Sequence, residues 1–599
     1  MYIEQEPKKK GAGKFIWATV IAVLFITVVS IGVIKKTETK ITSTVPEKLI
    51  TSNEVEPESQ GQGFIPDLNP IAGAAAAVLW NSTEKDPADI NVSFGQTLHT
   101  WNPLLGGVIW IQSKKIARAQ ALAFSSYPDN LLVNIKASSN GFGYRFDLNK
   151  YLPGPIEYGY FNFKGPLENQ PSNLDDIFQI YGASKNVKFI LNVPLPHPSL
   201  KLGDARFAWQ TPQFYGAQLQ YLFGTADSKA VYSKLPLSID FSTEPAEFNW
   251  ANLRAKRGRI EPYKAEAVIF GEEPYHIEGW DANDGKSYGI AAEAYRVEMR
   301  KRGVTLPYGV HVSQLNPTDR SWFHPMMDAL SKTDTPKYFD LYHYYTFAGT
   351  ADWERSFPMS LRVEGFTNWW LDKKTWPVNY ARFLWLIDDT KVALARRGID
   401  PKTVKIGFSE HGITISSPFK YNDMTGAIHF AGWLAGIMRS NSDWDSMWVL
   451  AAEGFSTAQI QTFKTTTKTP TYFVYQMAMK LRGMKYIDLV ATNAAVGKTT
   501  NPEGLEVYFP WVMVRAFEDP ATGKRELFAI NQHPSRPVTL KGLDGWKIEK
   551  WEELRGDSYS SGNSLKSSAT PVSIKIIPKG ENDPITLPPI SIIRITLKR

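Results

Sequence analysis

Cysteine is absent from the 599-residue sequence, and this absence excludes several kinds of site. No disulfide framework, thiolate metal site or cysteine nucleophile can be built without a thiol. Charge of one sign is not concentrated either: the formal net charge of +7 is spread along the chain, which predicts a solvated surface and no nucleic-acid partner. We find no metal-ligand cluster, glycine-rich phosphate loop or Ser/His/Asp order in the sequence, and we expect no cofactor and no metal.

Long hydrophobic runs are scarce as well, with one exception near the start of the chain. Residues 15–34 form a run of 20 uncharged, mostly apolar residues that is closed by Lys35 and Lys36. At about 1.5 Å of rise per residue, a helix of this length crosses a bilayer core of about 30 Å. The run is long for a signal peptide and has no clear small-x-small cleavage site, so we predict a retained transmembrane helix.

The segments on either side of this run predict the orientation of the protein across the membrane. Residues 1–14 are polar and basic, and we expect them to form a cytoplasmic N-terminus. Residues 35–85 are rich in Ser, Thr, Glu and Pro and show little hydrophobic periodicity, which predicts a flexible linker. We therefore expect a single-pass protein of the cell membrane whose remaining bulk is extracellular.

Short apolar runs alternate with helical patterns between residues 86 and 500, which is typical of βα units. Eight such runs lie at 90–94, 131–135, 187–193, 267–270, 306–312, 339–344, 404–408 and 447–450, and helical segments such as 174–183 and 287–302 lie between them. The predicted fold class is α/β, with residues 86–500 forming a (β/α)8 TIM barrel. Residues 501–599 alternate strands with Gly, Asp and Pro turns, which predicts a C-terminal antiparallel β-sandwich.

Two of the predicted strands end in glutamates. The stretch AVIFGEEPY carries Glu272 and Glu273 directly after an apolar run, and KIGFSEHG carries Glu410 in the same way. Functional groups of a TIM barrel lie at the carboxyl ends of its strands, so these glutamates are expected at one rim. Two carboxyls about 5 to 5.5 Å apart can perform retaining glycoside hydrolysis, one as acid/base and the other as nucleophile. The alternative is that a glutamate here caps a helix or lies in a solvated loop.

With these motifs placed, residues 90–485 resemble the family-51 glycoside hydrolases, the α-L-arabinofuranosidase family of the clan A retaining glycosidases. The likeness is strongest in WANLRAKRGRIEPYKAEAVIFGEEPY. The family pattern there has an LRA phrase, an EPY phrase and a strand that ends in Gly-Asn-Glu-Pro. The resemblance implies that Glu273 is the catalytic acid/base, that Glu410 is the nucleophile and that the substrate is an oligo- or polysaccharide.

Further positions match the family in part, and the resemblance implies that they bind substrate. Asn140 in SSNGFGYRF falls on a substrate-binding Asn. His343 and Tyr345 in FDLYHYYTF fall on a His-x-Tyr pair near the nucleophile, and the alternative for this pair is packing in the core. Gln96 takes the place of a substrate-binding Glu in the first-strand motif, and Gln459 in TAQIQTF falls on a further sugar-contacting position.

Two departures from the family pattern bear on the substrate. Gln96 is one, and Glu272 is the other, because the family has an Asn directly before the acid/base. In the clan that Asn hydrogen-bonds the hydroxyl beside the reacting carbon, whereas an ionised Glu accepts but cannot donate. A like charge beside Glu273 would also raise one of the two pKa values. The resemblance therefore favours the barrel and the retaining mechanism more than it favours arabinofuranose.

Taken together, the sequence predicts a membrane-anchored, outward-facing retaining glycosidase. We expect it to be α-L-arabinofuranosidase-like and to act on cell-surface or environmental polysaccharide. The alternatives are an endo-glycanase acting on β-glucan, xylan or a uronic-acid polymer, and a non-catalytic glycan-binding or cell-envelope protein. Trp101, Trp280 and Trp322 lie in predicted rim loops and are candidates either for stacking on sugar rings or for ordinary packing. The oligomeric state is left open.

Overall fold

The computed structural model describes most of the chain after residue 88. The described residues are 89–109, 114–136, 144–145, 150–151, 173–184, 186–195, 211–227, 249–271, 284–312, 322–341, 344–346, 379–413, 423–453, 459–462, 466–492, 496–500, 506–559, 561–563 and 572–599. The predicted N-terminus (1–14), transmembrane helix (15–34) and linker (35–85) lie outside these ranges. Within them, no helix is long and apolar enough to cross a membrane.

Eight parallel strands close into a barrel, which confirms the predicted (β/α)8 architecture. Numbered in chain order and listed in their order of pairing, they are β2 (Leu104–Ile109), β3 (Leu131–Lys136), β6 (Val187–Val193), β7 (Ala267–Phe270), β8 (Tyr308–His311), β9 (Tyr338–Asp340), β11 (Lys405–Ile413) and β12 (Trp444–Glu453), which returns to β2. Three short strands extend the barrel sheet, namely β10 (Tyr344–Thr346), β13 (Ile460–Thr462) and β14 (Thr466–Lys468).

The first barrel strand is not the one that the sequence predicts. The run at 90–94 does form a strand, β1 (Asp89–Trp101), but β1 pairs with strands of a second sheet, and the first barrel strand is β2. Burial explains the difference, because β1 buries only some of its residues whereas β2 and β3 are buried on both faces, as barrel strands must be. In β2, Gly106 permits a close approach to β3, since a Cβ at this position would lie 1.8 Å from the Leu132 carbonyl oxygen.

Helices connect the barrel strands in the described residues. They are α1 (Lys114–Phe124), α2 (Leu174–Gly182), α3 (Pro212–Phe223), α4 (Ala251–Lys256), α5 (Gly285–Lys301), α6 (Phe323–Ala329), α7 (Asn379–Arg396), α8 (Met424–Ser440) and α9 (Pro470–Met479). A short 3-10 helix spans Pro401–Thr403. The helical segments expected at 174–183 and 287–302 are α2 and α5, and each begins at a side-chain cap. Asn173 accepts from the Asp176 amide, and Asp284 accepts from the Ser287 amide.

The second sheet has nine strands and is mixed rather than purely antiparallel. In spatial order they are β22 (Lys575–Ile576), β21 (Lys547–Arg555), β24 (Ser591–Lys598), β19 (Arg525–Asn531), β18 (Val512–Glu518), β15 (Met484–Thr492), β1, β20 (Val538–Lys541) and β23 (Ile585–Leu587). The correction to the predicted antiparallel sandwich is that β1 and β20 are parallel. The sheet also recruits β1 and β15, which precede residue 501 in the chain.

Two small hairpins complete the described strands. One pairs β16 (Val496–Thr500) with β17 (Glu506–Pro510), and the other pairs β4 (Tyr144–Arg145) with β5 (Lys150–Tyr151).

Candidate active site

The barrel interior consists of an apolar layer with a polar layer above it. One buried cluster joins the inward side chains of several strands, namely Leu132, Ile190, Ala267, Ile269, Tyr338 and Trp444. Successive strand residues face opposite sides, so positions two residues further along share the interior face. At those positions the barrel has Asn134, Asn192, Gly271, Asp340 and Ser446, and Lys136 lies two residues beyond Asn134. Polar groups are therefore gathered toward the carboxyl ends of the strands, where TIM-barrel chemistry takes place.

Glu410 reaches this polar layer through an irregularity in β11. Between Phe408 and His411 the strand advances three residues while β12 advances two, from Asp445 to Met447, so β11 carries one extra residue. A bulge of this kind bends a strand and re-aims its side chains. Here Glu410 comes within reach of Lys136 in the interior, and His411 faces the surrounding helices.

The Glu410 carboxylate forms a fully buried ion pair with Lys136. The Lys136 Nζ atom lies 3.2 Å from Glu410 Oε2, and both side chains are fully buried. The same ammonium donates to Ser409 Oγ at 3.4 Å. A cation at this distance stabilises the ionised carboxylate, which is the form that a nucleophile requires.

His311 and Asp340 link the strands that lead to the predicted catalytic glutamates. His311 Nε2 donates to the Gly271 carbonyl oxygen at 2.8 Å, and His311 Nδ1 lies 3.0 Å from Asp340 Oδ2. The other carboxylate oxygen, Asp340 Oδ1, accepts from the Ser409 amide at 2.9 Å. Asn134 Nδ2 donates to the Ser409 carbonyl oxygen at 2.7 Å, which connects the same strand end to β3. We call Gly271, His311, Asp340 and Ser409 the interior chain.

Asp340 is held as an anion in this setting. Burial by itself would raise the pKa of its carboxyl, but the charge of His311, the contact with that ring, nearby Lys136 and the Ser409 amide together lower the pKa below its usual value. The carboxylate can thus accept hydrogen bonds on both of its oxygens at neutral pH.

His411 begins a second polar network on the outer side of β11. Its Nε2 atom lies 2.9 Å from Asp445 Oδ2 and 3.1 Å from the Tyr475 hydroxyl. Trp433 donates from Nε1 to Asp445 Oδ1 at 2.9 Å, and its ring is stacked on His411 with centroids 4.1 Å apart. Burial, and then the charge of Asp445, raise the pKa of Tyr475 well above its usual value. These contacts fix the end of β11 against α8 and α9.

The His, Asp and Glu side chains are paired rather than clustered in the part of the chain that the structure describes. No group of three or more His, Asp or Glu side chains there is arranged to hold a metal ion. The buried acid and base residues instead form the pairs Lys136–Glu410, His311–Asp340 and His411–Asp445.

Several predicted site residues lie outside the described residues. They are Asn140, Glu272, Glu273, Trp280 and His343. Strand β7 ends at Phe270 and is followed by Gly271, whose φ of +96° is open to glycine and strained for other residues. The two adjacent glutamates come next in the sequence. The backbone of Tyr345 is described, and it pairs with Gly412 on β11, two residues after Glu410.

Gln96 and Gln459 lie in different surroundings. Gln96 lies in β1 of the nine-stranded sheet, at an irregularity between Phe94 and Thr97, where its side chain is exposed. Gln459 is buried and its amide is engaged with protein groups. Its Oε1 accepts from the Tyr127 hydroxyl, and its Nε2 donates to the Gly106 carbonyl at 3.3 Å. Both contacts favour a structural role for Gln459, because they use the groups that would bind a sugar.

Trp101 and Trp322 are packing residues rather than sugar-stacking platforms. Both are fully buried. Trp101 ends β1 against the ring of Phe517 at 5.6 Å, and Trp322 packs on Tyr288 at 4.8 Å while donating from Nε1 to the His311 carbonyl at 3.0 Å. Of the two alternatives for Trp101 and Trp322, their burial supports ordinary packing, because their large apolar surfaces are used inside the protein.

The polar residues of the interior chain were not predicted as site residues from the sequence. A signal for two of them does exist, since the apolar strands YGVH and YFD each end in a single polar residue, His311 and Asp340. Such a residue in a strand buried on both faces indicates an inward polar group.

Of the comparisons with known proteins, the one with solved structures identifies the fold. No protein-family model matches the sequence, and no curated protein matches it. Solved structures are similar: α-L-arabinofuranosidase from Thermotoga maritima in an arabinose complex has a TM-score of 0.56 at 15% identity, covering 85% of this chain and 99% of that chain. The family-51 arabinofuranosidase from Xanthomonas axonopodis pv. citri has a TM-score of 0.57 at 13% identity, covering 85% and 100%.

A third similar structure is the thermostable family-51 α-L-arabinofuranosidase from Thermotoga petrophila RKU-1. Its TM-score is 0.57 at 14% identity, covering 85% of this chain and 100% of that chain. In each case an eight-stranded parallel barrel combined with a β-rich sheet is matched over nearly the whole solved chain. The chain therefore has the fold of the family-51 glycoside hydrolases.

Proposed function

We propose that this protein is a retaining glycoside hydrolase in which Glu410 is the nucleophile and Glu273 is the acid/base. The observation that carries the proposal is the position of Glu410. It lies in the bulge of the seventh barrel strand, is fully buried in the polar layer and is 3.2 Å from the Lys136 ammonium. An anionic carboxylate at this point of a family-51-like fold is suited to attack a sugar carbon.

The proposed reaction has two displacement steps. Glu410 attacks the anomeric carbon while Glu273 gives its proton to the leaving oxygen, which breaks the glycosidic bond and forms a glycosyl ester on Glu410. Glu273, now a carboxylate, takes a proton from water as that water attacks the anomeric carbon and releases Glu410. For this sequence the two carboxyls must lie about 5 to 5.5 Å apart.

We propose an α-L-arabinofuranoside-like substrate within a cell-surface or environmental polysaccharide. The fold and the motif match around Glu273 support this choice, whereas Glu272 and Gln96 depart from the family pattern. A β-glucan, xylan or uronic-acid polymer is the alternative substrate class, and binding of a glycan without turnover is the alternative function. Hydrolysis assays with aryl glycosides and polymeric glycans distinguish these possibilities.

We further propose that residues 15–34 anchor the chain in the cell membrane with the barrel outside. The composition of this run and its flanking lysines support the proposal. Two experiments test this proposal. Isolated membranes that contain the full-length protein are washed with alkaline carbonate, and intact cells that express it are treated with protease. Retention in the membrane and cleavage of the barrel from outside are expected, and release by carbonate would contradict an anchor.

The first experiment is hydrolysis of an aryl glycoside panel by the fragment that starts at Asp86. The panel contains the α-L-arabinofuranoside, β-D-xyloside, β-D-glucoside and β-D-glucuronide of 4-nitrophenol, and the matched control is Glu410→Gln, which has nearly the same shape. Turnover of one substrate is expected, and the variant should reduce kcat by at least about 10⁴-fold because it removes the nucleophile.

The stereochemistry of the product tests the retaining mechanism separately. Proton NMR of the first-formed sugar should show the configuration of the substrate. An inverted product would contradict a glycosyl ester on Glu410. If neither the panel nor polymeric glycans are hydrolysed, the enzymatic proposal fails and glycan binding without turnover becomes the better explanation.

A further inference from the structure

The two proposed catalytic glutamates directly follow, or nearly follow, residues of the interior chain in the sequence. Gly271 is followed directly by Glu272 and Glu273, and Ser409 is followed directly by Glu410. Under the proposed function, a movement of Gly271 relative to Ser409 is therefore expected to change the separation between the two carboxyls. A retaining enzyme depends on that separation, because wider spacings of about 6.5 to 9.5 Å admit a water molecule and lead to inversion.

The interior chain connects these two points through side chains only. It runs from the Gly271 carbonyl to His311 Nε2 at 2.8 Å, from His311 Nδ1 to Asp340 Oδ2 at 3.0 Å, and from Asp340 Oδ1 to the Ser409 amide at 2.9 Å. Strands β8 and β9 lie between β7 and β11, so the interior chain connects four neighbouring strands of the barrel. The two hydrogen bonds and the ion-pair contact between them are buried, where the loss of a polar partner is costly.

The imidazole of His311 lies between two acceptors. A carbonyl oxygen only accepts, and so does an ionised carboxylate. The Nε2 atom donates to the Gly271 carbonyl oxygen, and the Nδ1 atom lies 3.0 Å from Asp340 Oδ2. The ring therefore bridges Gly271 and Asp340.

The main chain of His311 is fixed independently of its ring. Its amide donates to the Tyr288 hydroxyl at 2.9 Å, and that hydroxyl donates to the Phe270 carbonyl at 2.6 Å. The Trp322 indole donates to the His311 carbonyl at 3.0 Å. The imidazole is therefore held at a defined point from which it can fix Gly271 and Asp340 at the same time.

We propose that His311 and Asp340 are positioning residues that set the distance between the acid/base strand end and the nucleophile strand end. The proposal rests on the proposed glycosidase function for its kinetic consequences. Its structural consequence, a fixed distance between Gly271 and Ser409, does not depend on that function.

Asp340→Ala is the variant that breaks the interior chain, and Asp340→Asn is the variant that preserves its connections. The Asn oxygen can still accept from the Ser409 amide, and its NH₂ group can donate to the Nδ1 atom of a neutral His311. Leu132→Ala is the matched control, because Leu132 lies in the apolar layer of the same barrel and has no polar contact to lose.

The kinetic test uses whichever panel substrate the wild-type protein hydrolyses. Asp340→Ala should lower kcat by about 100-fold with KM changed by less than about threefold, since a displacement of about 1 Å between reacting groups has an effect of this size. Asp340→Asn should recover at least about tenfold of that loss. Leu132→Ala should lower Tm but leave kcat within about threefold of wild type. Equal kcat losses in Asp340→Ala and Leu132→Ala would overturn the proposal.

Azide provides a readout that a purely structural role would not change. In Asp340→Ala the widened gap should admit azide, which would attack the anomeric carbon and displace 4-nitrophenolate to give a glycosyl azide. Azide should increase nitrophenolate release by Asp340→Ala and not by Leu132→Ala. An identical azide response in the two variants would count against a change in the spacing of the carboxyls.

Crystal structures separate a failure of this proposal from a failure of the glycosidase proposal. The distance between the Gly271 and Ser409 Cα atoms should increase by about 1 Å in Asp340→Ala, whether or not any glycoside is hydrolysed. An unchanged distance would overturn the positioning role even in an active enzyme. If Asp340→Ala does not fold, His311→Gln replaces it, because glutamine can reach Gly271 or Asp340 but not both, and the same increase is expected.

Discussion

At the scale of single residues, Lys136 and Glu410 form a fully buried ion pair. Removing two charges from water is costly, and a buried ion pair is weak support for stability by itself. Under the proposed function the pair has a chemical explanation, because an ammonium at 3.2 Å favours the ionised form of Glu410 inside a fully buried site. The cost of burial would then support the reactivity of Glu410 as a nucleophile rather than folding.

Lys136→Met should damage both stability and activity, for one reason. It leaves Glu410 buried without its cation, so the carboxyl takes up a proton and loses its nucleophilic form. The free energy of unfolding should fall by about 3 kcal/mol, and kcat/KM should fall by at least about 100-fold. Urea unfolding and the aryl glycoside assay measure the two effects.

The double variant Lys136→Met/Glu410→Gln separates these two effects. It removes both charges, so most of the stability should return while activity stays abolished. If the double variant were no more stable than Lys136→Met, the ion pair could not be the source of the destabilisation. If Lys136→Met alone kept full activity, Glu410 would not depend on the ammonium.

At the scale of secondary-structure elements, Arg254 joins the segments that precede β7. This side chain of α4 is fully buried and donates to five main-chain carbonyls. Two of them, Tyr221 and Leu222, belong to the end of α3, the third is Gly224, and the other two belong to Arg259 and Ile260. The LRA phrase of the sequence therefore has a structural explanation: its arginine holds the polypeptide that leads into the Glu273 strand.

Arg254→Lys should destabilise the protein although it keeps the charge. Lysine offers three donors from one point, so at least two buried carbonyls lose their partners. We expect a loss of about 3 kcal/mol, measured as the free energy of urea unfolding. Arg257→Lys, on the exposed side of the same segment, is the control and should change stability by less than about 0.5 kcal/mol. Equal effects of the two variants would show that the five hydrogen bonds of Arg254 are not responsible for the loss of stability.

At the scale of the whole molecule, a network of charges joins the barrel to the nine-stranded sheet. Lys480, directly after α9, contacts Glu552 of β21 at 3.1 Å, and Arg594 of β24 contacts Glu552 at 2.8 Å. Lys550 adds a third cation at 2.9 Å. Burial opposes ionisation of Glu552, but these three cations lower its pKa from 4.5 to about 2.

Glu552→Gln should make the protein less stable at neutral pH and less sensitive to acid. A carboxyl whose folded-state pKa lies below its unfolded value stabilises the fold above pH 4.5, and this contribution is lost as the pH falls toward about 2. The variant should lose about 2 kcal/mol at pH 7, and the difference from wild type should disappear near pH 2.

Unfolding midpoints measured between pH 2 and pH 7 test this dependence. Glu549→Gln is the control, because the Lys524–Glu549 pair is partly exposed and should contribute less than about 0.5 kcal/mol. A constant difference between Glu552→Gln and wild type across the whole pH range would show that the charge of Glu552 is not responsible.

Much of the barrel could be predicted from the sequence, because its strands are buried on both faces. LLVNIK and VKFILNV are nearly continuous apolar runs, and such runs separated by helical segments favour a parallel barrel. The first strand could not be found in this way. LLGGVI has few β-branched residues, and its glycines are needed for a contact with the neighbouring Leu132 carbonyl that only the folded structure reveals.

Only those features of the site that depend on the sequence of a single strand could be predicted. Glu410 follows an apolar run in the sequence, so its position at a strand end could be predicted. The partnership of His311 with Asp340 depends on how β8 and β9 are paired, with these two residues directly opposite each other. The burial of Trp101 and Trp322 likewise depends on neighbours that are distant in the sequence, such as Phe517 for Trp101.

The extra residue in β11 also determines how deep the proposed reaction takes place. A strand rises about 3.3 Å per residue, so without Ser409 the Glu410 carboxylate would begin about one residue lower in the barrel. It would then approach the apolar layer and lose the Ser409 amide that Asp340 holds. The extra residue therefore sets the height of Glu410 in the barrel, and under the proposed function we expect its deletion to change how deeply a sugar must enter to reach Glu410.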